Sequence, residues 1–279
     1  MKTILAIVFI FTSSFQLVFS QNENLKTPLT DTMQNVETNK VKLTIRNTPD
    51  ITFEFNAMYN YGVYELSGND NGDLHTNQFA KGENFGVRHG LGAMMTAKIP
   101  LNKNGHLRAN ISLAYNRFSS NYTKPLIDVT GFDFVNFNVY SAIAGIENNF
   151  TPNFIIKTYI GIGLTGSIIS GKTQITDSSG AQLLSIIPSF RMGISINSGL
   201  EYMLSNSIGF NCGFRFTHAN LWLKQSKTSD NPDEIYLNDK KVSPRIPYSG
   251  FRQFAWGSFF LGLNYYFGIH EKVYFYSKR

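Results

Sequence analysis

The chain has one cysteine, Cys212, in 279 residues. An intramolecular disulfide is therefore excluded, and stability must come from backbone pairing and packing. Charge is scarce too: Asp, Glu, Lys and Arg make up 16% of the residues, against about a quarter in ordinary soluble domains. Past the first twenty residues no segment approaches the roughly 18 consecutive apolar residues that a spanning helix needs. These shortages exclude a disulfide scaffold and a helical membrane protein, and they argue against a typical soluble domain. The formal net charge of +6 is too small to point to nucleic acid. No Cys/His cluster has metal-ligand spacing, so neither a metal nor another cofactor is expected.

Phe (24 residues), Tyr (14) and Gly (23) are abundant instead. A chain poor in charge, rich in aromatics and without long apolar runs suits a β-barrel with one face in lipid, where apolar and polar residues alternate. The N-terminus reads as a secretory signal over 1–20: Lys2 is the positive start, 4–11 is apolar, and Ser20 precedes a cut at Gln21. No cysteine follows the apolar run, which argues against a lipid anchor. Removing the signal leaves 24 bases against 19 acids, a net +5, an excess that favours contact with anionic lipid headgroups. Residues 21–50 read as a polar periplasmic leader in which Val41, Leu43 and Ile45 are compatible with a short strand.

From 51 onward period-2 alternation dominates. It predicts strands over about 51–64, 85–99, 107–118, 134–149, 154–168, 189–204, 208–217 and 254–267. In the first, Ile51, Phe53, Phe55, Ala57, Tyr59 and Tyr61 share one face, and Thr52, Glu54, Asn56 and Asn60 the other. In the second, Phe85, Val87, Leu91, Ala93 and Met95 are assigned to the lipid face. In the fourth, Val135, Phe137, Val139 and Ile143 share one parity, without a clean apolar/polar split. Most of these strands match or exceed the roughly nine to eleven tilted residues that cross a bilayer. Short connections at 100–106, 151–153 and 205–207 alternate with long ones at 68–84, 119–133, 170–187 and 218–253, as in outer-membrane barrels. The expectation is an all-β, antiparallel, up-and-down transmembrane barrel over 51–267. It has eight strands, with ten as the alternative, and both termini are periplasmic.

The signal, the hairpin rhythm, Phe85-Gly86-Val87-Arg88-His89-Gly90-Leu91-Gly92 and Gly262-Leu263-Asn264-Tyr265-Tyr266-Phe267 resemble the small outer-membrane barrels. These are the OmpA/OmpX-like group, and in particular the barrel-domain family of Bacteroidetes-type bacteria. The resemblance implies an aromatic-ended closing strand read by the barrel-assembly machinery. In that family the closing aromatic stands near the chain end. Here an extension, 268–279, follows with Val273-Tyr274-Phe275-Tyr276, so the last strand continues or an extra strand exists.

Several constellations bear on chemistry. Glu54, Lys98, Arg108, Lys157 and Glu201 fall on the polar face near the short-turn end, with Glu147 at the same height. Ions inside a narrow barrel must be paired, so a salt-bridged plug and a sealed barrel are expected. Toward the long loops, Arg88, Arg191 and Arg215 have no strand acid at their height. Either loop acids such as Asp133, Asp177 or Asp230 pair with them, or they form an anion site in the outer mouth. Gly161-Ile162-Gly163-Leu164-Thr165-Gly166 and the stretch from Gly166 to Thr173 match nucleotide-binding patterns. They lack the strand–loop–helix context that those patterns require. His218 resembles the histidine of outer-membrane lipid A deacylases, but the serine position two residues on is Asn220, so the nucleophile is missing. His89 and His218 are placed at the membrane interface, and Cys212 on the lipid face as an inert apolar residue.

The sequence thus supports a sealed structural or interaction barrel presenting extracellular loops, with a narrow porin-like channel as alternative and a lipid-modifying hydrolase behind it. The expected partners are outer-membrane lipid and lipopolysaccharide, the assembly machinery, and an extracellular or envelope protein.

Overall fold

The computed structural model describes residues 40–67, 79–80, 82–125, 130–177, 180–241, 250–269 and 271–277. The expected signal peptide and the leader up to residue 39 lie outside them. The chain divides into two compact units. In the smaller, β1 (Lys40–Arg46) pairs with β11 (Glu271–Ser277) in a two-stranded sheet. The tail after the closing aromatic therefore makes a strand, but not one of the barrel.

The larger unit is the barrel. Its strands are β2 (Ile51–Val63), β3 (His89–Pro100), β4 (Leu107–Pro125), β5 (Thr130–Asn149), β6 (Ile156–Asp177), β7 (Gly180–Met203), β8 (Ile208–Trp222) and β10 (Ala255–Phe267). Each pairs antiparallel with its neighbours in the chain, and β10 returns to β2 over Ala255–Val63 to Phe267–Ile51. The circle is closed with eight strands, which leaves no barrel edge to satisfy in lipid. A short β9 (Glu234–Ile235) lies parallel to β7 at Ser185 and Ile186, outside the circle.

Alternation fixes which way each wall residue points. In β2, Thr52, Glu54, Asn56, Met58 and Asn60 are buried, while Phe55, Ala57, Tyr59 and Tyr61 are exposed. Around the circle the outward residues form an apolar belt: Leu91 is 69% exposed, Leu261 65%, Ile111 64% and Phe259 61%. No water-soluble barrel leaves so continuous an apolar surface bare, and the interior is polar at the corresponding levels. This inversion is what lipid on the outside requires. Cys212 is exposed on that outer face. So is His89, whose Nδ1 lies 2.6 Å from the Tyr59 hydroxyl.

The structure departs from the sequence reading in two places. The outer parts of β4 to β7 continue well past the alternation, and β5, β6 and β7 reach 20, 22 and 24 residues. Much of the expected loops 119–133 and 170–187 is ladder, with Ser119 to Pro125 paired to Asn136 through Thr130, and Gly171 to Asp177 paired to Ile186 through Gly180. Beyond the membrane both faces of a strand can be polar, so the ladder persists while its period-2 signal fades. The second departure is at 85–88. Strand β3 starts only at His89, and Gly86 takes the left-handed conformation (φ 72°). That turn sends both Phe85 and Val87 inward, where they are fully buried; the sequence had placed them in lipid.

Because the belt faces hydrocarbon, a charge at its centre is costly. Leu261 lies opposite Ala57 and Cys212, near the middle of β10. Leu261→Arg is expected to lower the unfolding free energy in lipid vesicles by about 2–4 kcal/mol, and the same change at the exposed Ser119 by about 0–1 kcal/mol. Urea titration of the refolded proteins measures both.

Candidate functional site

The interior of the barrel is where the sequence-predicted residues meet. On the level nearest the short turns, Glu54 (β2), Lys98 (β3), Arg108 (β4), Glu147 (β5) and Glu201 (β7) point inward and are at most 5% exposed. Strand register brings them together: Thr52 pairs with Lys98, Arg108 with Glu147, and Lys157 with Glu201. The Lys98 Nζ lies 2.5 Å from Glu54, 3.0 Å from Glu201 and 3.2 Å from Glu147. The Arg108 Nη2 lies 2.5 Å from Glu147 and donates to Glu201 Oε1 at 2.6 Å. Two cations thus share three carboxylates across the lumen. Lys98 also stands 3.8 Å from the centre of the buried Tyr159 ring, which covers the cluster from the lumen side. Lys157 is on the same level but outside the ion-pair cluster, its ammonium 4.9 Å from the centre of the Tyr266 ring.

This floor is tight. Beneath it Thr48, Pro49, Gly105 and Pro152 approach the stems of Lys98 and Arg108, leaving a hollow of about 10 Å³, room for about one water. A broad apolar hollow exists elsewhere, lined mainly by outward residues, with Ala57, Ala93, Ala142, Ala144 and Gly166 among them. It faces lipid rather than the lumen.

Toward the long loops the lumen is closed a second time, by a cap that sequence reasoning missed. Phe79, Phe85, Phe118, Phe137, Phe254 and Trp256 are each at most 2% exposed. Their rings meet edge to face, with centres 4.9 Å apart for Phe85–Phe254, 5.3 Å for Phe79–Phe137 and 5.5 Å for Phe118–Trp256. Leu66, Val87, Val135, Val139, Ile169, Ile186, Ala219 and Leu237 complete the cluster. The signal was present: Phe118 and Trp256 sit on the parity of lumenal Asn116 and Ser258, and the unclear parity of the fourth predicted strand is the inward row Val135, Phe137, Val139. Aromatics are so common on the lipid face here that their placement on the other parity was not weighed.

The segment after β8 straps over this cap through three buried side chains. Arg252 donates to the carbonyls of Leu237 (2.8 Å), Asn238, Asn84 (3.1 Å) and Phe79 (3.3 Å), and its guanidinium lies 4.5 Å from the centre of the Phe85 ring. Burial pushes this guanidinium down to about 10, against the opposing pull of Asp239. Asp239 accepts from Arg191 Nε (2.8 Å), Asn220 Nδ2 (2.6 Å) and the Gln225 amide (2.9 Å). Asn220 also donates to the Arg252 carbonyl and accepts from the Phe254 amide.

The three arginines expected at the mouth therefore do not form one cluster. Arg191 is held by Asp239, 2.8 Å away, rather than by any of the three acids expected. Of those, Asp133 is buried and accepts from the Thr176 amide, and Asp230 is exposed; the Asp177 side chain lies outside the described residues. Arg88 is half-buried just before β3. Arg215, level with Asn197 and Ser258, is inside the lumen, about 20 Å along the wall from Arg191. The nucleotide-like glycines lie within the β6 ladder, paired on both sides. Asn220, at the position of a deacylase serine, is fully buried near the end of β8 and bonded to the strap, and half-buried His218 has no hydrogen bond at Nε2.

Removing one partner of a buried ion cluster leaves the others uncompensated. Glu201→Gln, which strands Lys98 and Arg108, is expected to cost about 3–5 kcal/mol, read as a lower melting temperature and earlier loss of the compact, heat-modifiable gel band. Asp239→Asn is expected to spare that band while making the 223–241 strap sensitive to added protease.

No family model matches the chain, so the narrower Bacteroidetes-type resemblance has no counterpart there; no curated protein matches it either. Solved structures similar to it include Neisserial surface protein A, at 13% identity and a TM-score of 0.41, covering 78% of this chain and 97% of that one. Ail of Yersinia pestis, in complex with the heparin analogue sucrose octasulfate, has 13% identity, 78% and 99% coverage and a TM-score of 0.39. OprG from Pseudomonas aeruginosa has 11% identity, 79% and 97% coverage and a TM-score of 0.45. With its closed antiparallel circle, lipid-facing belt and charged interior, the chain folds as an eight-stranded transmembrane β-barrel.

Proposed function

We propose that this protein is a sealed outer-membrane barrel that works through its outer face, where the long ends of β4 to β7 and the strap after β8 meet partners outside the cell. The carrying observation is the double closure of the lumen, by the ion-paired floor around Glu201 and by the aromatic cap around Phe254. A conduit needs a wet path, and the cap replaces it with edge-to-face rings packed as in a protein core. A hydrolase needs a nucleophile within reach of its base; the residue at that position is Asn220, already committed to Asp239, Arg252 and Phe254.

An interaction surface gains from rigidity, because less ordering is lost on binding. The Arg252 and Asp239 contacts hold the strap in one arrangement. On this reading both termini are periplasmic, the belt is surrounded by membrane lipid and lipopolysaccharide, and the closing strand is delivered by the barrel-assembly machinery. The partner is an extracellular or envelope protein.

Conductance separates the sealed barrel from the channel. The refolded mature protein, shown by protease protection to be inserted in a planar bilayer, is expected to give no current steps above the empty bilayer. Stable, ion-selective steps from the wild-type protein would overturn the sealed reading in favour of a channel.

A further inference from the structure

Between floor and cap the lumen holds a buried cation that feels Glu54 and Glu147 only from beyond ion-pair distance. Below the cap, the buried bases among the described residues are Lys98, Arg108, Lys157 and Arg215, and the buried acids are Glu54, Glu147 and Glu201. One positive charge is left over. Lys98 and Arg108 take up the three carboxylates, and Lys157 reaches Tyr266. Arg215 is 5% exposed and has no carboxylate within ion-pair distance among the described residues; its only hydrogen bond is from Nη1 to the Met94 sulfur at 2.6 Å, and Nε makes none.

A guanidinium does not escape this position by losing its proton, and an uncompensated buried ion costs several kcal/mol. The thioether of Met94 is a weak acceptor with no charge to offer. The same stretch of lumen holds further unspent polar groups. The Asn56 and Asn211 amides and the Thr165 hydroxyl are buried without hydrogen bonds; the Oδ1 atoms of Asn56 and Asn211 lie over Gly262 from either side, and their Nδ2 groups are equally without a partner. The neighbouring Asn60, Asn116 and Ser258 are already bonded to one another. The free groups are therefore one cation, the Thr165 hydroxyl, and two amides that each offer an N–H donor and an oxygen acceptor.

We propose that Arg215 is the anchor of a lumenal site for a small monovalent anion of the halide class, enclosed between the floor and the cap. The guanidinium supplies the charge, and Thr165 with the Asn56 and Asn211 amides supplies neutral donors. Both ends are closed, by the ion-paired floor and the aromatic cap, so a headgroup or an organic phosphate is excluded. The site is independent of what the outer face binds.

Crystals of the wild-type protein grown in sodium bromide test this directly. An anomalous bromide peak within hydrogen-bond reach of the Arg215 guanidinium is expected. A well-ordered lumen without that peak, or with Arg215 turned onto Glu54 or Glu147, overturns the proposal. In solution, thermal unfolding at constant ionic strength, with chloride exchanged for the bulky gluconate ion, gives a second readout. For one bound ion, each tenfold rise in chloride above its dissociation constant should raise the folded-to-unfolded ratio about tenfold. Arg215→Gln should abolish that dependence and Arg215→Lys should keep it. Equal stability of the wild type in the two salts also overturns the proposal, and the wild-type measurements decide the matter even where a variant fails to fold.

Discussion

The structure depends on the pairing of ions inside a barrel whose outside is apolar. A closed antiparallel circle satisfies the backbone in lipid, but it leaves the inward side chains in a narrow space with little water. Glu201 is the centre of the answer: its carboxylate lies between Lys98 at 3.0 Å and Arg108 at 2.6 Å, residues that come from different strands. Five strands contribute to this one cluster, so it also records the register of the wall. A slip of one residue in any of those strands would turn its member into lipid, where a charge is most costly. The cluster therefore works less as net stabilisation than as a statement of which pairing is correct.

The outer half of the lumen solves the same space problem by different chemistry. There the inward positions carry Phe, Trp, Val and Ile, and the interior becomes an ordinary hydrophobic core under a strap. Charge returns only at its edge, where Arg191 and Asp239 pair and Arg252 gathers carbonyls from two connecting segments. Arg252 is held by carbonyl oxygens and aromatic faces rather than by a carboxylate, which is why its burial is felt so strongly. The barrel is thus polar at the bottom, mixed in the middle around Arg215 and apolar at the top. The top is covered by the strap, which Arg252 and Asp239 tie down.

Much of this was legible in the sequence because a membrane barrel repeats one rule at every residue. Alternation marked the face of Glu54, Lys98, Arg108 and Glu201, and loop rhythm marked which end they shared. The rule loses force where its cause stops. Toward the outer end the ladder of β6 and β7 continues through Thr173 and Gln182 with only Leu184 and Ile186 as a short buried apolar row, so paired strand read as loop. At Gly86 a single left-handed residue reversed the side of Phe85, a change no periodicity registers. The partner of Arg191 was read as Asp133, Asp177 or Asp230 and is Asp239, because the strap over 223–241 sets its contacts by tertiary packing rather than by register.

Double closure is the central claim, and lumen accessibility tests it most directly. Thr165 faces the middle of the lumen and is 1% exposed. Placed in a background with Cys212→Ala, Thr165→Cys gives one thiol at that point. The folded, membrane-inserted protein is expected to resist a small charged thiol reagent added to either side, and to react fully once unfolded. Rapid labelling of the folded protein from either side would show an open lumen and contradict the account.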